Sequence, residues 1–202
     1  VSLNAKVNGT GFNSKTANAA FEGKVTSAQY NKYDYRNANL KGNIKNGIYK
    51  ATMVVKDPNL AFDAVANGSF KDKYPAVKLK MNVDIADLEK LNLHAGPLKL
   101  KGQIDADIPT ANLDYLNGNI VLHHLKLTNE KGEFLLYTIT VISTATPEKK
   151  AIAINSQFLK ATVTGKYKLT NLADDISHSF STFYYVHHAA QQYHSQPPHF
   201  AL

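Results

Sequence analysis

Histidine is the residue type of this chain whose chemistry is most easily tested against its spacing. Five of the eight histidines of the 202-residue chain fall near its C-terminus, namely His178, His187, His188, His194 and His199. A metal site on a helix needs its ligands on one face, commonly two histidines four residues apart. That spacing is absent here, and adjacent His187 and His188 point in different directions. The pattern favours an exposed polar tail over a metal site.

Carboxylates and nucleophiles give no catalytic pattern either. Asp105 and Asp107 lie two residues apart in a strand-like segment, and residues two apart on a strand share one face. This pair is therefore interpreted as part of a solvated face. The hydrolase signature Gly-x-Ser-x-Gly does not occur, nor does a glycine-rich phosphate loop that opens a helix. We expect a protein that is not an enzyme and that needs neither a metal nor another cofactor.

The charge of the chain suggests a nucleic-acid partner, but its residue types do not. The net charge is +7, and a basic chain is a common feature of nucleic-acid binding. Tyr30, Tyr33 and Tyr35 could stack on bases, although aromatic rims at a sheet end are the favoured interpretation. Arg36 is the only arginine, whereas base and phosphate recognition depends on guanidinium groups. We expect no nucleic-acid partner.

Alternation of apolar and polar residues is the dominant pattern of the chain. Val77, Leu79 and Met81 alternate with Lys78 and Lys80. The same period recurs over residues 98–108 and 160–169. Side chains of a strand point to opposite faces with a period of two. Each segment is therefore predicted to be a strand with one apolar and one polar face.

Turn signals separate these strands. Asn46-Gly47 lies between two alternating segments and predicts a hairpin, and Asp57-Pro58-Asn59 predicts a second turn. Similar signals occur at residues 117–118, 130–133 and 146–149. Because the connections are short, we expect roughly eleven strands in an antiparallel meander. The chain contains no cysteine, so disulfides do not contribute to the fold.

Three segments depart from the period of two. Residues 85–91 are predicted to form one short internal helix, and a bulge or turn is expected at residues 155–157. After residue 170 the apolar period becomes helical, which predicts a C-terminal amphipathic helix. The expected organisation is a β domain over residues 1–170, the helix over 171–195 and a flexible tail over 196–202.

The period alone leaves open what the apolar faces contact. A sandwich or a closed β-barrel would bury them against each other. An open or half-closed sheet would instead present them to a ligand or another chain.

The order of several short motifs resembles that of the TamB family (translocation and assembly module), in its Bacteroidetes-type form. The resemblance covers about residues 1–170. It lies in Tyr33-Asp34-Tyr35, residues 40–44 and 46–51, Asp57-Pro58-Asn59-Leu60-Ala61-Phe62, Gly68, Ala86-Asp87-Leu88, residues 98–102 and the strand over 159–169.

The resemblance implies an elongated sheet curled into an open trough, related to AsmA-like and bridge-type lipid transfer proteins. Such proteins are anchored in the inner membrane and cross the periplasm. They are thought to carry phospholipid acyl chains to the outer membrane, or to support outer-membrane protein assembly with a barrel partner. The present chain is expected to be a fragment of such a protein, with any anchor outside it.

Alternation and resemblance together predict an apolar groove. Its expected lining consists of Tyr49, Ala51, Met53, Val55, Leu60, Phe62, Val77, Leu79, Met81, Leu98, Leu100, Ile104, Val163 and Tyr167. The C-terminal helix is expected to plug the groove or cover an edge through Ile176, Phe180 and Phe183. Two alternatives remain open. One is an assembly module that binds client β-strands at its edges, and the other is a closed β-barrel that binds a small apolar ligand.

Overall fold

The fold is a single antiparallel β-sheet, seen in a computed structural model that describes residues 2–11, 13–166 and 168. Its eleven strands follow one another across the sheet in sequence order. They are β1 (Ser2–Thr10), β2 (Asn18–Tyr30), β3 (Tyr33–Lys45), β4 (Ile48–Lys56), β5 (Leu60–Ser69), β6 (Ala76–Asp87), β7 (Leu98–Thr110), β8 (Asn117–Asn129), β9 (Gly132–Ala145), β10 (Lys150–Ser156) and β11 (Lys160–Gly165).

The sheet is an open meander. Each strand pairs antiparallel with the next, and no pairing joins β1 to β11 among the described residues. The prediction of a mainly β antiparallel meander is therefore confirmed, and so is the strand number. The alternative of a closed β-barrel is wrong for this sheet, because its outer strands β1 and β11 do not pair with each other.

Two hairpin turns use left-handed backbone at both central positions. Asn46 and Gly47 have φ values of 49° and 77°, as the Asn-Gly signal predicts for a turn whose twist matches its strands. Asn31 and Lys32 adopt the same region, with φ values of 47° and 63°. Lysine rarely adopts this conformation, so the sequence gives no signal for the second turn.

The predicted internal helix over residues 85–91 is wrong. β6 continues to Asp87, where the backbone N–H donates to the Asn59 carbonyl at 2.8 Å. The apolar period breaks because the strand contains a bulge: the register with β7 shifts between Val83 and Ala86. Turns follow, closed by the Lys90 N–H bond to the Asp87 carboxylate at 3.2 Å. A bulge and a helical turn both interrupt the alternation of apolar and polar residues, and this is why the sequence predicted a helix here.

The described helical structure is one short 3-10 turn, Leu113–Tyr115, capped by the side chain of Asn112. No helix among the described residues is long and apolar enough to cross a membrane. The predicted turn near residue 156 is confirmed, because β10 ends at Ser156 and β11 begins at Lys160. The sheet belongs to a compact unit that extends to Gly165. The predicted C-terminal helix, the tail and their boundaries lie outside the described residues.

Little of the described chain is fully buried. The buried hydrophobic residues of the described chain are Ala17, Val55, Ala64, Ala86, Leu91 and Ala106. Leu91, which is 1% exposed, is the one large side chain among them that is almost completely covered. Sealed protein cores are close-packed and contain many large side chains. The described sheet therefore has one layer, with its apolar side chains only partly shielded.

Candidate functional site

One face of the sheet carries an uninterrupted row of apolar residues. Residues directly opposite each other in an antiparallel pair share a face, so the register can be followed from strand to strand. From β1 to β11 the central row reads Val7, Phe21, Gly42, Ala51, Ala66, Leu79, Ala106, Ile120, Val141, Ile154 and Ala161. We call this row the apolar ladder. It crosses the whole described sheet without a polar side chain.

A second apolar row runs beside the apolar ladder. From β1 to β9 it reads Ala5, Gly23, Leu40, Met53, Ala64, Met81, Ile104, Leu122 and Ile139. It meets its first polar residue at Ser156 in β10. The apolar surface is therefore several residues wide, and it is formed by backbone register instead of by a side-chain cluster in one loop.

The opposite face carries the matching polar ladder. It reads Lys6, Glu22, Lys41, Thr52, Val65, Lys80, Asp105, Val121, Thr140, Asn155 and Lys160. Between β6 and β7, Lys80 Nζ lies 3.4 Å from Asp105 Oδ1. In the next row, Lys78 Nζ lies 2.8 Å from Asp107 Oδ2. Both lysines are more than half exposed, so these pairs keep their hydration and add little stability.

Aromatic rings lie over glycines on the apolar face. A Cβ placed on Gly42 would be 2.5 Å from Cζ of Phe21, the residue directly opposite in β2. At Gly68 it would be 2.6 Å from the hydroxyl oxygen of Tyr49, again the residue opposite. The Tyr49 ring also stacks on Phe70 at a centroid distance of 4.8 Å, and burial raises the pKa of Tyr49. These rings lie flat because glycine leaves room for them.

The turn between β4 and β5 is held by a buried carboxylate. Asp57 is 3% exposed, and it accepts a hydrogen bond from the Tyr33 hydroxyl. It also accepts the backbone N–H groups of Arg36 at 3.0 Å and Asn59 at 2.8 Å. Burial, and then the bond to Asp57, raises the pKa of Tyr33. We call these four residues the Asp57 corner, which ties β3 to the β4–β5 turn.

The apolar face includes almost all of the predicted groove lining. In β4, β5 and β6 the register puts Tyr49, Ala51, Met53, Val55, Leu60, Phe62, Val77, Leu79 and Met81 on that face. In the later strands it adds Leu98, Leu100, Ile104 and Val163. Tyr167 lies outside the described residues, as do Ile176, Phe180 and Phe183 of the predicted plug.

The prediction missed residues of the same face at both ends of the sheet. Phe21 in β2, Ile120 in β8 and Val141 in β9 belong to the apolar ladder. Each of them has a polar neighbour on one side only, so the alternation signal is weak at these positions. In β8 this signal is broken at His124, whose φ of 49° accompanies a register shift against β7. Leu125 and Leu127 therefore rejoin the apolar face after a change of parity.

Comparison of the chain with family models, with curated proteins and with solved structures gave no match.

Proposed function

We propose that the apolar face binds phospholipid acyl chains in a non-enzymatic segment of an envelope-spanning protein. The observation that carries the proposal is the apolar ladder, which crosses eleven strands without a polar side chain. An acyl chain has no hydrogen-bonding groups, so a surface that guides it needs continuity more than specific contacts. Each methylene removed from water contributes about 0.8 kcal/mol.

The dimensions of the sheet suit such a ligand. Neighbouring strands lie about 4.8 Å apart, so ten strand intervals correspond to an apolar path of about 48 Å. This path is longer than one extended acyl chain and resembles the thickness of a whole bilayer, about 40–45 Å. In this proposal the sheet curls into an open trough with the apolar ladder along its floor.

Exposure of the apolar face supports an unsealed surface. Leu40 is 39% exposed and Val7 is 69% exposed, although both belong to its apolar rows. Large exposed apolar areas are rare on monomeric proteins and usually mark a binding surface. By its resemblance to TamB, the full-length protein is proposed to be anchored in the inner membrane. Its groove then carries lipid across the periplasm, or supports outer-membrane protein assembly beside a barrel partner.

Native mass spectrometry with lipid extraction tests the groove. We expect co-purifying phospholipid in the wild type and its loss in Leu79→Asp and Leu100→Asp. Val65→Asp is the matched control, because Val65 is 51% exposed, lies in the neighbouring strand and belongs to the polar ladder. Retained lipid in Leu79→Asp, with folding verified by circular dichroism, would overturn the proposal. Equal loss in Val65→Asp would overturn it as well.

A second candidate function, pairing with client β-strands, is favoured by unpaired strand edges. β10 pairs with β9 only from Ile139 to Ala145, which leaves residues 132–138 of β9 without a described partner strand on that side. The side chain of Gln157 occupies part of this edge, accepting the Tyr137 N–H at 3.1 Å and donating to the Leu135 carbonyl at 3.3 Å. Exposed strand edges are templates for added strands.

Proline at position 135 tests edge pairing without breaking the sheet. The Leu135 carbonyl faces the Gln157 side chain, and the N–H of a strand residue points to the same side as its carbonyl. Leu135→Pro therefore removes a donor from the unpaired edge only. If client strands pair with this edge, the Leu135→Pro variant should no longer bind and retain a urea-unfolded outer-membrane barrel protein, whereas the Leu135→Val variant should still retain it. Equal retention by both variants would exclude pairing at this edge.

A further inference from the structure

On the polar face, three lysines of β6–β8 differ in their partners from the lysines of β1–β4. On β6–β8, Lys78, Lys80 and Lys126 each lie within 3.4 Å of a carboxylate oxygen of a neighbouring strand. On β1–β4, the exposed lysines form no ion pair with any described residue. These lysines are Lys6, Lys24, Lys41, Lys45, Lys50 and Lys56, and we call the first five the basic patch.

The basic patch carries excess charge at close spacing. The one carboxylate among these polar-face residues is Glu22, which lies opposite Lys6 and Lys41. Five lysines against this glutamate leave a local net charge of +4. Adjacent strands are about 4.8 Å apart, so the amines form a broad array of like charge. Such an array is stabilised when an anionic surface lies against it.

A concavity lies within the basic patch. Lys41 and Lys50 flank an open surface depression of about 430 Å³ whose walls include Asn43, Thr52, Asn67 and the apolar side chain of Val65. The volume lies within the range of small-molecule sites, about 300–1,000 Å³. Ammonium, amide and hydroxyl groups all donate hydrogen bonds. The floor of the depression is mostly apolar, and the donors at its sides, Lys41 and Lys50 among them, suit the oxygens of a phosphate group.

The residues around the basic patch favour a lipid surface over nucleic acid. Between its lysines, the basic patch presents asparagine, threonine and small residues, such as Asn8, Ala20 and Asn43. The tyrosines of β2 and β3 lie apart from Lys41 and Lys50, at the β2–β3 turn, where the rings of Tyr33 and Tyr35 pack edge-to-face at a centroid distance of 4.8 Å. Single-stranded nucleic acids are bound by stacking on aromatic side chains. The one guanidinium of these strands, Arg36, is paired with Asp34 at 3.0 Å, and arrays of lysine are typical of attraction to anionic lipid headgroups.

We propose that the basic patch docks this sheet onto anionic membrane surfaces. Docking uses the face opposite the apolar ladder and does not depend on lipid in the groove. The phosphate oxygens of the headgroups lie against the lysine amines, and headgroups enter the depression between Lys41 and Lys50. Electrostatic attraction of this kind is screened by salt over about 8 Å at physiological ionic strength.

Vesicle sedimentation of the full chain tests the proposal. We expect binding to vesicles of phosphatidylcholine with 30–40% phosphatidylglycerol, weak binding to pure phosphatidylcholine, and release at about 0.5 M salt, where screening is short-ranged. One lysine near an anionic surface contributes about fivefold in partitioning. Lys41→Gln/Lys50→Gln should therefore lower binding at least tenfold.

The matched control removes two charges from the ion-paired region of the same face. Lys78 and Lys80 lie two to three strand spacings from the basic patch, about 10–14 Å, which exceeds the screening length at 0.15 M salt. Lys78→Gln/Lys80→Gln should change binding less than twofold. Equal losses in the two double variants, or equal binding to neutral vesicles, would overturn the proposal. Phospholipid co-purifying with each variant reports on the groove separately, so failure of either proposal is distinguishable.

Discussion

Leu79 and Lys80 are neighbours in β6, yet they belong to ladders with different requirements. The apolar ladder is apolar in all eleven strands, whereas the polar ladder mixes cations, anions, amides and two valines. A solvated face tolerates such variety because each side chain meets water. The row that stays apolar in every strand is the one that the proposed binding function would require.

Separation of the two faces depends on register. Because side chains alternate, a slip of one residue in any strand moves its apolar side chains to the polar face. The Asp57 corner fixes β3 against the β4–β5 turn through partly buried hydrogen bonds to the buried Asp57 carboxylate. Substitutions at the Asp57 corner, at the glycines of the apolar face and on the polar face therefore test how much each contributes to stability.

Loss of the Asp57 carboxylate should have the largest effect. Asp57→Ala leaves two backbone N–H groups and the Tyr33 hydroxyl without their acceptor. We expect the free energy of unfolding to fall by about 3 kcal/mol, since each buried donor left unpaired costs about 1–3 kcal/mol. Urea denaturation measures this change. Asp63→Ala, an exposed carboxylate on the polar face of β5, should stay within about 0.5 kcal/mol; similar losses would contradict a structural role for the corner.

A methyl group at Gly42 should have the next largest effect. The new Cβ would lie 2.5 Å from both Phe21 Cζ and the Lys50 carbonyl oxygen, so the ring must leave its place over β3. We expect Gly42→Ala to cost about 1–3 kcal/mol, as overpacking does.

Gly23→Ala is the control for Gly42→Ala. A Cβ at Gly23, on the same face of the adjacent strand, has no neighbour closer than 3.8 Å. The stability of this variant should change by less than about 0.5 kcal/mol. Thermal unfolding of the two variants measures the contrast, and equal melting temperatures would show that the Phe21 ring is not held by Gly42.

Alkaline pH should weaken the Asp57 corner through Tyr33. Burial and the bond to Asp57 raise the pKa of Tyr33 above the ordinary 10.0, so the folded state disfavours the phenolate. This contribution is fully present below about pH 10 and is lost as pH rises through the folded pKa. Tyr33→Phe should flatten the decline of melting temperature between about pH 9 and 11. Tyr137→Phe, at an exposed position, should leave the wild-type decline unchanged; a matching decline in Tyr33→Phe would refute the assignment.

Removing an ion pair from the polar ladder should have the smallest effect. The Lys80 side chain is 82% exposed while its Nζ lies 3.4 Å from Asp105. Exposed pairs contribute about 0–1 kcal/mol, so Lys80→Gln should lower the free energy of unfolding by no more than that. Urea denaturation at low and high salt measures it. A decrease in the free energy of unfolding as large as that of Asp57→Ala would show that ion pairs on the polar face also stabilise the fold.

Alternation was sufficient to predict the strands and the residues that share a face, because period two follows from strand geometry. It failed where the backbone leaves that geometry. The bulge between Val83 and Ala86 was interpreted as a helix, and the left-handed residues Lys32 and His124 carry no sequence signal. The partners of the buried Asp57 were also not predicted, since Tyr33 and Asp57 meet only through the register of separate strands.

Photo-crosslinking along β6 tests the central claim most directly. A benzophenone amino acid is placed in turn at Leu79, Lys80 and Met81, which alternate between the two faces. The protein acquires phospholipid in cells and is purified away from membranes before irradiation, so that membrane docking of the polar face does not contribute, and mass spectrometry detects the adducts. The account predicts phospholipid adducts at positions 79 and 81 and none at position 80. Absence of adducts at 79 and 81, or equal labelling at 80, would contradict it.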